Sequence, residues 1–129
     1  MPKIVTTLGR KSSSELGFIL PHEHVFVDLR TWDTPGYAQA DTEDVIQLMA
    51  PEMKRAQAAG VTAIVECSTV GVGRRADIDR AVSEATGLPL VIPTGIYRAR
   101  LEEKALARKF GTEWDHYSKR TYFMFPPAY

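Results

Sequence analysis

Residues 61–69 read VTAIVECST. The run is β-branched and apolar with almost no alternation, which suits a strand covered on both faces, as in a parallel sheet under helices. Upstream, Asp41 is placed to cap a helix, with Asp44 three positions later. Val45, Leu48, Met49, Met53, Ala56 and Ala59 then recur close to a 3.6 period, and Gly60 supplies a C′ stop. Pro51 falls inside this pattern, so the helix either kinks there or restarts with Pro51 at its first position. Downstream, ADIDRAVSEATG (76–87) lines up Ile78, Ala81, Val82 and Ala85 as one stripe and ends at Gly87. LPLVIPTG (88–95) is a further buried strand.

Working back toward the N-terminus, KIVTTLG (3–9) predicts a short opening strand and GFILPHEHVFVDL (17–29) a longer buried one. Pro21 makes the ladder of the second irregular. Strand, helix, strand, helix, strand at these spacings demands parallel strands with helical crossovers, an α/β fold. Past Gly95 the pattern weakens. RLEEKALARKF (100–110) predicts a short charged helix, and TYFMFPPAY (121–129) is an uncharged aromatic stretch that should pack on something.

The totals fit one domain of 129 residues, 44% apolar and 25% charged. Sixteen basic residues balance sixteen acidic ones, which gives no electrostatic reason to expect nucleic acid or an anionic membrane as a partner. Cys67 is the sole cysteine and reads as a small buried hydrophobe. No segment nears the ~20 apolar residues of a membrane span, and residues 1–15 lack a signal-peptide core, so a cytoplasmic location is expected.

Four features carry candidate chemistry. His22 and His24 stand two apart within the second strand, on one face, roughly 6.6 Å apart along it. Two imidazoles at that separation can converge on one metal ion; they can equally be two hydrogen-bonded histidines at a strand end. Glu23 between them should face the other way. GVGRRA (71–76) fits a loose Gly-x-Gly-x-x-Gly/Ala between strand and helix, but no carboxylate follows at the end of the next strand. It therefore reads as a Gly-rich βα-loop with Arg74 and Arg75 on its surface. Tyr97, after TG at the end of the third parallel strand, stands where ligands bind in such folds, or packs as an ordinary loop residue. His116, near Glu113 and Asp115, reads as a solvated histidine.

LGFILPHEHVFVDL, AAGVTAIVECSTVGVGR and SEATGLPLVIPTGIY, in that order and spacing, resemble the phosphotriesterase-like (phosphotriesterase/lactonase) family of the amidohydrolase superfamily. The resemblance covers residues 4–97 and implies the N-terminal part of a (β/α)8 barrel, with about three parallel strands of the eight. Residues 1–97 would be that part of the barrel domain, and 98–129 a divergent or truncated segment. It implies that His22 and His24 are metal ligands and that Tyr97 lines the substrate pocket. The implied cofactor is a divalent metal, zinc, with two ions in a complete member that activate a water to attack a small-molecule phosphoester or lactone. The family's other ligands, a carboxylated lysine, two histidines and an aspartate, have no counterpart in this sequence. The expectation is therefore a hydrolase fragment that is inactive alone, or a remnant without hydrolase activity. An open sheet face and open strand edges would favour a homo-oligomer over a monomer.

Overall fold

The computed structural model describes residues 3–31, 33–95, 107–113 and 116. The chain divides into two compact units, Met1–Tyr97 and Arg98–Tyr129.

The first unit opens with an antiparallel hairpin, β1 (Lys3–Thr6) and β2 (Gly9–Ser12), in register Thr6↔Gly9. The opening strand was expected; its partner β2 was not, because Arg10 and Lys11 carry no apolar pattern. The hairpin is closed by chemistry: Thr6 Oγ1 donates to Gly9 O at 2.7 Å and accepts from Leu8 N. Gly9 takes φ +95°, the left-handed region that favours glycine. A 3-10 turn, Ser13–Glu15, follows, with Glu15 reaching back to the Ser12 N–H at 2.7 Å.

The main sheet has three parallel strands in the order β3–β4–β5: β3 (Phe18–Glu23), β4 (Val61–Glu66) and β5 (Leu90–Val91). This is the α/β arrangement expected, a partial parallel sheet that does not close into a barrel. The β3–β4 ladder slips register between Phe18 and Ile19 and again between Leu20 and Glu23. The second slip brackets Pro21, which has no N–H to give the ladder.

The first crossover is α1 (Thr42–Ala58), a single helix that runs through Pro51. Asp41 caps it, accepting from the N–H groups of Glu43 and Asp44 at 2.9 and 3.1 Å. Gly60, at φ +95°, follows the C-cap. Met53 is the buried residue of α1, whereas Leu48, assigned to its apolar stripe from the sequence, is 71% exposed. The second crossover is α2 (Ala76–Thr86), ended by Gly87 in the left-handed conformation. Its buried face is Ile78, Asp79, Val82 and Ser83. Ala81 and Ala85, predicted to share that face, are half-buried and exposed. The face is thus shifted and half polar, and apolar periodicity alone misplaces it.

Ile78, Val82, Leu88 and Leu90 are essentially solvent-free and pack with Val25, Met53, Val61 and Ile64 as one core. Ser83 is buried because it is used: its hydroxyl lies 2.5 Å from Thr7 Oγ1 and donates to Leu88 O at 2.6 Å. Thr7 in turn donates its N–H to Leu90 O and accepts the Leu90 N–H, both at 2.9 Å. The hairpin is thereby tied to β5. In the second unit, residues 107–110 are helical, with Gly111 N donating to Ala107 O at 2.9 Å. Among the described residues no helix is long and apolar enough to cross a membrane.

Asp79 is completely buried and neither carboxylate oxygen has a hydrogen-bond partner. Burial, and secondarily the charge of Glu66, push its carboxyl up to about 7. An acid with a raised folded pKa binds more protons folded than unfolded, so it costs stability as pH climbs from the unfolded value near 4 through about 7. Urea midpoints should therefore fall between pH 5 and pH 8, and Asp79→Asn should flatten that fall. Ile78→Ala should cost about 2–5 kcal/mol at either pH, as a core truncation that leaves a cavity.

Candidate metal and substrate cavity

The carboxyl ends of β3 and β4 and the loops beyond them surround a cavity of about 490 Å³. His22, His24, Cys67 and Thr69 line one part of it, and Val27, Leu29 and Val72 form an apolar wall. His22 lies within β3 and His24 one residue past its end. Their ring centroids are 5.3 Å apart with planes at 79°, an edge-to-face pair. The two imidazoles share one cavity, as their i, i+2 spacing suggests. Glu23 does not line it; Glu23 borders a cleft of about 210 Å³ beneath α1, beside Met49, Glu52 and Met53.

His24 is the better anchored of the pair. Its Nδ1 lies 2.9 Å from Ser68 Oγ and 3.8 Å from Glu66 Oε1. Glu66 is fully buried at the end of β4. Its Oε2 accepts the Ser68 N–H at 2.7 Å, while Oε1 has no hydrogen-bond partner. The sequence showed Glu66 only as the one carboxylate in an apolar run, and neither it nor Ser68 was singled out.

The loop after β3 is pinned by Asp28, which is 8% exposed. Its carboxylate accepts from the Arg30 guanidinium at 2.7 Å, the Arg30 N–H at 2.9 Å and the Ala38 N–H at 2.8 Å. The Arg30 guanidinium above all, then the Ala38 N–H, hold this carboxyl well below the usual carboxylate range. The segment GVGRRA is a βα-loop packed on this turn. Asp28 N donates to Val72 O at 3.1 Å, and Gly73 N to the Tyr37 hydroxyl at 2.6 Å. Gly73 has φ +90°, and a Cβ there would meet Asp28 N at 2.4 Å. The second glycine thus serves close backbone approach within the protein. Arg74 and Arg75, expected on the surface, are half-buried fasteners: Arg74 donates to Pro93 O at 3.0 Å and Arg75 to Ala38 O at 2.7 Å. His116 is exposed, as expected. Tyr97 lies outside the described residues.

This geometry suits the N-terminal corner of a parallel barrel, with its histidines at the strands' carboxyl ends. The profile of the Phosphotriesterase family matches residues 2–112. The chain belongs to the phosphotriesterase family. It is 32% identical over 99 residues to the phosphotriesterase homology protein of Mycobacterium tuberculosis, covering 75% of this chain and 30% of that protein. It is 38% identical over 97 residues to the aryldialkylphosphatase of Saccharolobus solfataricus, covering 72% and 30% respectively. A mutant of a phosphotriesterase-like lactonase from Deinococcus radiodurans superposes with a TM-score of 0.69 at 30% identity, over 88% of this chain and 37% of that one. The chain thus spans about 30% of the length of the curated relatives it matches, and its fold is part of the family's (β/α)8 barrel.

Phosphotriesterase-family hydrolases are metalloenzymes, so the residues present must be tested against a metal. The donors fit in part. Two imidazoles face one cavity, and the Nδ1 of His24 is engaged from behind, which leaves its Nε2 for an ion. Among the described residues, however, no three of His, Cys, Asp or Glu are grouped to hold one ion. Cys67 shares the cavity wall without joining the pair; its Sγ is 3.7 Å from Val65 O.

Gly73→Ala should destabilise the loop by more than the roughly 1–2 kcal/mol of a non-glycine residue at positive φ, because it adds the clash with Asp28. Gly60→Ala, with open space around the new methyl, should show the conformational cost alone. Urea denaturation of the two variants side by side checks the ranking.

Proposed function

We propose that residues 1–97 are the His-x-His corner of a metal-dependent hydrolase that cleaves phosphoester or lactone bonds in small molecules. His22 and His24 would be ligands of one divalent ion, zinc in this reading. The observation that supports it is the pairing of these two imidazoles in a single cavity at the carboxyl ends of parallel strands, in a chain of the phosphotriesterase family. When bound, a divalent ion of this kind lowers the pKa of water and supplies a hydroxide nucleophile near neutral pH.

The chain's own residues would do the rest of this corner's work. Neutral His22 and His24 bind through ring nitrogens. Val27, Leu29 and Val72 receive the apolar part of an ester or lactone and keep bulk water from it. Tyr97 is proposed as a further substrate-lining residue, by resemblance to lactonase-like members. Residues 98–129 are proposed to be a divergent or truncated segment, and the protein is proposed to act in the cytoplasm and to self-associate through its uncovered sheet.

A second reading is favoured by the absence of a third ligand among the described residues. A catalytic zinc commonly has three protein ligands and a water, so the 129-residue chain alone would be a remnant without hydrolase activity. Zinc titration by calorimetry, with His22→Ala and His24→Ala, tests the site: uptake should be weak and lost in either variant, and uptake indifferent to both would sink it. Zinc- or cobalt-supplemented assays on paraoxon and an acyl-homoserine lactone should give no turnover by this chain. Turnover that disappears with His22→Ala would instead remove the remnant reading.

A further inference from the structure

We infer that Ser68 and Glu66 are positioning residues that hold the ring of His24 with its proton on Nδ1, so that Nε2 is presented unprotonated to the cavity. The consequence for metal uptake rests on the proposed role of His24 as a ligand; the tautomer itself does not.

Ser68 and Glu66 both lie on the Nδ1 side of the His24 ring. Ser68 Oγ sits 2.9 Å from His24 Nδ1, and a hydroxyl can either give its proton to that nitrogen or accept one from it. Glu66 is 0% exposed and its Oε1 lacks a partner, which is a costly state for a buried oxygen. Its other oxygen is already held by the Ser68 N–H at 2.7 Å. A proton on Nδ1 is donated to Ser68 Oγ, whereas a bare Nδ1 would turn its lone pair toward the buried carboxylate. Oε1 is also 3.8 Å from Nδ1, so the carboxylate's field favours a proton on that nitrogen over the far one. Both partners come from the end of β4 and the turn just after it, rigid backbone that fixes the ring plane as well as the tautomer. Outer-sphere groups of this kind set the orientation and basicity of ligating histidines.

The test needs no metal. Long-range 1H–15N correlation on the uniformly 15N-labelled, metal-free chain at pH 8, where an ordinary imidazole is neutral, reads the tautomer of each histidine. His24 should appear as the Nδ1–H form. Ser68→Ala should move it toward the Nε2–H form that free imidazole favours, Ser68→Thr should retain the original spectrum, and Cys67→Ala should leave it unchanged. Zinc affinity, measured on the same proteins, should drop about 10–100-fold in Ser68→Ala. A wild-type His24 in the Nε2–H form overturns the inference, as does a tautomer indifferent to Ser68→Ala in a variant that keeps its circular dichroism spectrum. Failure to bind zinc with the Nδ1–H form intact would overturn the metal reading of His24 and leave the positioning inference standing.

Discussion

The parallel pairing of β4 with a strand on each side is the constraint on which the rest of this unit depends. Val61, Ala63, Ile64 and Glu66 are buried along it, and both neighbours run in the same direction as β4. Parallel neighbours cannot be joined by tight turns, so each junction requires a crossover, and α1 and α2 are those crossovers. The same pairing brings the end of β3, with its histidines, beside the end of β4, with Glu66 and Ser68. Cys67 N donates to Glu23 O at 2.9 Å, the backbone bond that fastens these two ends together.

Much of the frame was legible because apolar patterning and punctuation agreed. Asp41, Gly60 and Gly87 mark ends of α1 and α2, and VTAIVECST can hardly be other than a covered strand. The His22–His24 pair was legible because period-2 spacing fixes a face regardless of what surrounds it. What escaped was polar and non-local. β2 has no apolar alternation, since its residues are held by backbone pairing to β1 and by the Ser12–Glu15 turn. Asp79 and Ser83 occupy the buried face of α2, where a hydrophobicity pattern expects carbon. Arg74 and Arg75 looked like surface charge because their carbonyl partners, Pro93 and Ala38, are 19 and 37 residues away. Glu66 and Ser68 met His24 only once β3 and β4 were set side by side.

Backbone packing accounts for the two glycines in GVGRR. Gly71 and Gly73 both take positive φ, and Gly73 lets the loop lie directly on the backbone of Asp28. Asp28 in turn binds Arg30 and Ala38, so the apolar wall at Val27, Leu29 and Val72 is held by one carboxylate and one missing side chain.

The clasp between Thr7 and Leu90 has a consequence for the order in which the unit can assemble. It joins positions 83 residues apart in the chain, and it uses both main-chain groups of Leu90 as well as the hydroxyl that meets Ser83. Closing so long a loop carries an entropic cost that no local contact offsets. The clasp gains its geometry only after β4, α2 and β5 have put Leu90 and Ser83 in place. The hairpin is thus a latecomer by topology, and its docking registers that β4, α2 and β5 are already in place.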